Sequence, residues 1–127
     1  MRCFVDSIYR EQLMELYKNP TTKGPLEGAT HQHISHNPLC GDEVKIMLKI
    51  QNEKVIEARF EGTGCAISMA SSALLTELLE GMTVEQVKKL DREFIMKELG
   101  IELGPVRIKC ALLCLEATHE ALGGQHA

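Results

Sequence analysis

The clearest pattern of apolar and polar residues alternates with a period of two between residues 44 and 51. The apolar series is Val44, Ile46, Leu48 and Ile50, and the residues between them are Lys45, Met47, Lys49 and Gln51. This alternation is typical of a half-buried β-strand. After a polar turn around Asn52–Glu53, a second strand is predicted from Val55 to Phe60. Its predicted inward side chains are Ile56, Ala58 and Phe60.

These two strands form a predicted antiparallel hairpin. An isolated hairpin is only marginally stable, so it needs a third strand or a helix across one face. The third strand can come only from the Thr30–His36 region. That region otherwise belongs to a stretch without clear period, from Thr21 to Leu39, which we interpret as an ordered or semi-ordered loop.

Helical periodicity covers most of the remaining chain. Residues 4–18 have one apolar face, and Asn19–Pro20 ends this helix because the residue before a proline leaves the helical region. Thr83 and Gln86 have the spacing of a capping box, and Pro105 suits a first helical turn. The helices predicted after the hairpin run from about Cys65 to Glu80, from Thr83 to Leu90, from Asp91 to just before Gly100, and from Pro105 to Gly123–Gly124.

Length and charge restrict the functional class. The 127 residues are predicted to form one domain over 1–127, large enough for its own core. A net charge of -4 gives no electrostatic basis for binding nucleic acid. No apolar run is long enough to span a bilayer, and the first residues do not resemble a secretory signal. We therefore expect a cytoplasmic protein with no membrane or nucleic-acid partner.

Five cysteines occur, at positions 3, 40, 65, 110 and 114. An odd number of thiols in a reducing compartment indicates metal binding, reactivity or simple burial rather than disulfides. Cys3 is interpreted as an incidental terminal thiol. Cys114 lies one helical turn after Cys110 and is predicted to pack in the core, with sulfur shuttling or substitution as a ligand as alternatives.

Four residues form the candidate metal site. Cys40 and Asp42 flank one glycine just before a strand, Cys65 is at a predicted helix start, and Cys110 is within the first turns of another helix. A helix N-terminus favours the thiolate, and Lys109 has the same effect on Cys110. Three sulfurs and one oxygen suit zinc or an iron–sulfur cluster. On spacing alone, buried structural thiols are the alternative interpretation.

The segments around these residues resemble a known family. Asn37–Val44, Phe60–Ser72 and Pro105–Cys110 are similar to the three signature segments of the U-type iron–sulfur scaffold family, which comprises IscU, SufU and the N-terminal part of NifU. The resemblance covers nearly the whole chain, including Tyr17–Pro20. It implies an α+β fold, a three-stranded antiparallel sheet packed against helices, with the metal site at one end of the sheet.

The resemblance also implies functional roles. The ligands would be Cys40, Asp42, Cys65 and Cys110, and a cysteine desulfurase would supply sulfur as persulfide. IscU-like members usually have histidine before the third cysteine, whereas this chain has Lys109 there, as SufU-like members do. The span from Cys65 to Cys110, however, is short, as in IscU-like members. Leu103–Arg107 resembles imperfectly the segment by which IscU-like members engage an Hsp70-type chaperone, because Gly104 and Arg107 depart from it.

Two functions follow from the resemblance. The first is a non-enzymatic scaffold that assembles a [2Fe-2S] cluster and transfers it to apo-proteins, with Lys109 tuning its neighbour or contacting the desulfurase. The second is a zinc-dependent sulfurtransferase in which Cys40 or Cys110 accepts the persulfide. A structural zinc domain is a third interpretation, disfavoured because such sites usually have closely paired ligands. A homo-oligomer is compatible with either main function.

Three histidines complete the set of candidates. His31, His33 and His36 could add metal ligands, but in a polar loop they are expected to be solvated.

Overall fold

The computed structural model describes residues 11–38, 41–100 and 104–123, without the side chain of Val106. The first helix, α1, is described over residues 11–18, so the earlier part of the predicted helix and Cys3 lie outside the described residues. The strands are β1 (His31–Asn37), β2 (Asp42–Gln51) and β3 (Lys54–Thr63). The later helices are α2 (Ala66–Leu79), α3 (Val84–Lys88), α4 (Arg92–Leu99) and α5 (Pro105–Ala121).

The three strands form one antiparallel sheet in the order β1-β2-β3. The predicted α+β class and the three-stranded antiparallel sheet are therefore confirmed, and the third strand comes from the region that the sequence indicated. Asn52 and Glu53 connect β2 to β3, and both have positive φ, at 52° and 60°. Two consecutive left-handed residues suit the twist of a tight hairpin, and asparagine tolerates that conformation well.

A β-bulge changes which side chains of β3 face the core. The register between β2 and β3 shifts at Lys49/Ile50, and Ile50 pairs with Val55. Val55 is fully buried whereas Ile56 is 43% exposed. The prediction that Ile56 points inward is thus wrong, because the bulge inserts one extra residue and reverses the alternation before it. Ala58 and Phe60, beyond the bulge, are buried as predicted.

The core lies between the sheet and two long helices. Helices α2 and α5 pack against each other and against the sheet. Val44, Ile46 and Leu48 of β2 are fully buried there. Several alanines are also fully buried, and their small side chains let the helix backbones approach closely: Ala73 on α2, and Ala111 and Ala117 on α5.

The helix ends follow the predicted capping residues. Thr83 and Gln86 form the capping box of α3, and Asp91 caps α4 through the backbone N–H of Phe94. Pro105 occupies the first turn of α5. The backbone of Thr22 and Gly24 hydrogen-bonds to the backbone of Phe60. The beginning of the stretch interpreted as a loop therefore lies along the outer edge of β3. No helix in the described ranges is long and apolar enough to cross a membrane.

Candidate metal centre

Three of the four predicted ligands come together. One ligand atom each from Asp42, Cys65 and Cys110 lies within 4.8 Å of the others. Two sulfurs bound to one zinc at about 2.3 Å each lie about 3.8 Å apart, so the three groups need only small shifts to share an ion. Soft thiolates with one harder oxygen fit zinc or an iron–sulfur cluster. The fourth predicted ligand, Cys40, lies outside the described residues.

Asp42 enters the site from the first position of β2. It pairs with Asn37 at the end of the β1–β2 ladder where the chain passes from β1 to β2, and Gly41 before it has a φ of 71°. That left-handed backbone favours glycine. The Asp42 side chain is only 3% exposed, so its carboxylate is directed into the protein rather than into solvent.

Cys65 is both a candidate ligand and the N-cap of α2. Its Sγ accepts a hydrogen bond from the backbone N–H of Ser68 at 3.4 Å. Its own backbone N–H donates to Asp42 Oδ1 at 3.2 Å, and its thiol lies 3.8 Å from Asp42 Oδ2. Cys65 is exposed, so this side of the site is open to solvent.

The approach of β3 to β2 places Cys65 beside Asp42. Gly62 pairs with Val44 and has a φ of 146°, a conformation that other residues rarely adopt. A Cβ at Gly62 would overlap with the carbonyl oxygen of Glu43. Glycine is therefore required both for the local backbone and for the close contact between the two strands.

Cys110 enters from α5 and is only 3% exposed. Lys109 before it is exposed and lines a groove of about 380 Å³ between α5 and the end of β1. The groove wall includes Asn37, Leu112 and Glu116. Lys109 is therefore accessible to a partner while the thiol next to it is covered.

Cys114 lies apart from the ligand cluster, in the core. It is fully buried, and its thiol donates to the carbonyl oxygen of Ala111 at 3.4 Å. Burial raises the pKa of the Cys114 thiol to about 12, so the sulfur stays protonated at neutral pH. The prediction that Cys114 packs in the core is confirmed.

The histidines lie on a strand rather than in a loop. His31, His33 and His36 belong to β1, so the expected loop placement is wrong for them. His36 Nδ1 lies 3.4 Å from Glu43 Oε1, and both side chains are exposed. Among the residues that the structure describes, the ligand cluster contains no histidine.

The segment that resembles a chaperone-binding sequence is described only in part. Leu103 lies outside the described residues, whereas Gly104 is the N-cap of α5 and Pro105 begins the helix. The exposed Arg107 is therefore in the first turns of a helix.

Comparison with known proteins agrees with this geometry. Residues 8–125 match the family model described as NifU-like N terminal domain. The zinc-dependent sulfurtransferase SufU of Bacillus subtilis is 33% identical, over 93% of this chain and 91% of that protein. The iron–sulfur cluster assembly scaffold protein IscU of Escherichia coli is also 33% identical, over 90% of this chain and 91% of that protein.

A solved structure has the same fold. The crystal structure of a putative scaffold protein for the SUF system, from Fervidobacterium islandicum AW-1, superposes with a TM-score of 0.76 at 29% identity. It covers 91% of this chain and 97% of that one. The resemblance noted in the sequence is confirmed, and this chain belongs to the NifU-like N-terminal domain family, together with IscU-like and SufU-like proteins.

Proposed function

We propose that this protein is a scaffold on which a [2Fe-2S] cluster is assembled from iron and persulfide sulfur, and from which the cluster passes to apo-proteins. The observation that supports it is the convergence of two thiols and one carboxylate within 4.8 Å, at one end of the sheet, in a chain of this family. A carboxylate among thiolates holds iron less firmly than a fourth sulfur would, which suits a cluster that is transferred to another protein.

Cys40 completes the proposed ligand set. It precedes Asp42 by two residues, and covalent geometry limits the separation of two such Cα atoms to about 7 Å. The ligands are then Cys40, Asp42, Cys65 and Cys110. Cys40 and Cys110 are the proposed persulfide acceptors, a cysteine desulfurase is the proposed sulfur donor, and exposed Lys109 offers that donor a positive contact.

The first experiment is anaerobic reconstitution of the full chain with ferrous iron, cysteine, a cysteine desulfurase and a thiol reductant, which supplies the electrons that reduce persulfide sulfur to sulfide. We expect sulfide-to-iron charge-transfer bands with matching iron and sulfide content. The bands should be lost in Cys40→Ala, Cys65→Ala and Cys110→Ala. The control is Cys114→Ala, which removes a thiol outside the cluster and should keep the bands. Bands of full intensity in Cys65→Ala or Cys110→Ala would overturn the proposed ligand set.

A zinc-dependent sulfurtransferase is the second candidate. Lys109 beside Cys110 favours it, as does the similarity to the SufU of Bacillus subtilis. In this function zinc would be held by the same four residues, and one thiolate would leave it to accept the persulfide. Stoichiometric zinc that resists exchange for iron, with a faster desulfurase turnover, would support this candidate over the scaffold.

We propose four further properties of this chain. They are a single domain over 1–127, a cytoplasmic location, homo-oligomer formation and binding of an Hsp70-type chaperone at Leu103–Arg107. Chaperone binding at an extended segment would require the first turn of α5 to unwind, since Pro105 and Arg107 are helical in this structure.

A further inference from the structure

Gly64 stands directly before Cys65, and its own backbone does not explain why it is glycine. Seven described glycines have a positive φ, and Gly64 is not among them. Its backbone conformation is therefore open to an alanine at no unusual cost. The reason for glycine must be sought in the space around its Cα.

That space is occupied by the carboxylate of Asp42. A Cβ at Gly64 would lie 2.8 Å from Asp42 Oδ1, 2.9 Å from its Cγ and 3.2 Å from its Cβ. Non-bonded carbon atoms pack comfortably only at about 3.5–4.0 Å, so the side chain of Asp42 would have to move. Asp42 is almost fully buried, and Cys65 N–H holds Oδ1 at 3.2 Å. A methyl group at position 64 therefore competes with the carboxylate for its present place.

We propose that Gly64 is a positioning residue for the Asp42 carboxylate. The missing side chain at position 64 leaves room for Oδ1 to accept the Cys65 N–H. With Oδ1 fixed there, Oδ2 faces the Cys65 thiol and lies 3.8 Å from its sulfur. The two oxygens thus have separate tasks: Oδ1 anchors the carboxylate to the start of α2, and Oδ2 is available to the ligand cluster. The consequence for metal binding rests on the proposed function; the steric contact does not.

Gly64→Ala should weaken metal binding through Asp42 alone. Loss of a group that orients a ligand commonly lowers metal affinity about 10- to 100-fold, and we expect a loss in this range for zinc. The alanine should have almost no further effect in a chain that already lacks the carboxylate. The matched control is Gly104→Ala, because Gly104 has a φ of -71° and open space at its Cβ position.

The test is a double-mutant cycle on the full chain, with zinc alone as the probe. Zinc affinity is measured by competition with a chelator for wild type, Gly64→Ala, Asp42→Ala, the double variant and Gly104→Ala. We expect Gly64→Ala to match Asp42→Ala, and the double variant to lie within about twofold of Asp42→Ala. If Gly64→Ala lowered zinc affinity by the same factor in wild type and in Asp42→Ala, the proposal would be overturned, since the effect would be independent of the carboxylate.

A metal-free measurement separates this proposal from the proposed function. In the apo-protein, the amide proton resonance of Cys65 reports the hydrogen bond to Asp42 Oδ1. It should move upfield in Gly64→Ala and Asp42→Ala, and stay in place in Gly104→Ala. An unchanged resonance in Gly64→Ala would refute the positioning role whatever the metal. A shifted resonance with unchanged zinc affinity would support positioning and remove Asp42 from the ligand set.

Discussion

Adjacent serines on α2 provide a sharp test of the packing behind the site. Ser71 and Ser72 are both buried, and α2 also bears Cys65 at its N-cap. Ser71 Oγ is buried without a hydrogen-bond partner among the described residues. Ser72 Oγ instead donates to the carbonyl oxygen of Ser68 at 2.8 Å. Replacing each serine by alanine therefore makes the same chemical change in opposite hydrogen-bonding environments.

The two substitutions should change stability in opposite directions. A net side-chain hydrogen bond contributes about 0.5–1.5 kcal/mol, whereas an unpaired buried polar group costs about 1–3 kcal/mol. Alanine also has a higher helix propensity than serine, by about 0.5 kcal/mol, at both positions. We expect Ser72→Ala to lower the free energy of unfolding by about 0.5–1 kcal/mol and Ser71→Ala to raise it by about 1 kcal/mol, after allowing for a small void.

The assay is urea unfolding of the metal-free protein in the presence of a chelator, because a bound ion would add its own stabilisation. The midpoint should move up for Ser71→Ala and down for Ser72→Ala, with the slope unchanged in both. A midpoint for Ser71→Ala at or below that of wild type would refute the reasoning. It would mean that the Ser71 hydroxyl gains a compensating interaction, such as an ordered buried water.

Further predictions concern the strand contact and the core thiol. Gly62→Ala should lower the free energy of unfolding by at least about 2 kcal/mol, because it combines a positive φ with a clash against Glu43. In the same urea assay, the unfolding midpoint of the control Gly104→Ala should stay close to that of wild type. The pKa of Cys114 is raised from 9.0 to about 12 by burial, so above pH 9 the unfolded chain releases a proton that the folded chain retains. Between pH 9 and 12 the unfolding free energy of wild type should therefore fall relative to Cys114→Ala, by up to about 1.4 kcal/mol per pH unit. Parallel pH profiles would contradict this.

The elements predicted correctly are those with a strong local pattern. The alternation around Ile46 and the capping box at Thr83 need no information from distant residues, and both occur in the structure as predicted. Ile56 could not be assigned in this way, because its orientation depends on how Lys49 and Ile50 are paired across the hairpin. The strand β1 has a weak pattern since it is an outer strand with mostly polar side chains, and this is why the sequence around His33 predicts a loop.

The sequence indicates which residues could bind a metal, but not how the fold brings them together. In the sequence, the residue types at Asp42, Cys65 and Cys110 are compatible with a metal site, and the resemblance to the family implies that they are its ligands. Their convergence depends on strand pairing, which brings Cys65 next to Asp42 across 23 positions of sequence, and on the packing of α5 against the sheet. The role of Gly64 was missed, although a glycine directly before a candidate ligand is a signal of close backbone approach.

The proposed ligands differ in burial, and this difference affects how a bound cluster would leave the site. Asp42 and Cys110 are covered by protein, whereas Cys65 is exposed at the end of α2. An incoming thiol can reach an ion most readily from the side of Cys65, since the other two described groups are buried. The buried carboxylate stays anchored through Oδ1 to the Cys65 N–H while Oδ2 can bind or release. In the proposed scaffold, exchange would therefore begin at the exposed Cys65 and end at the two buried groups, Asp42 and Cys110.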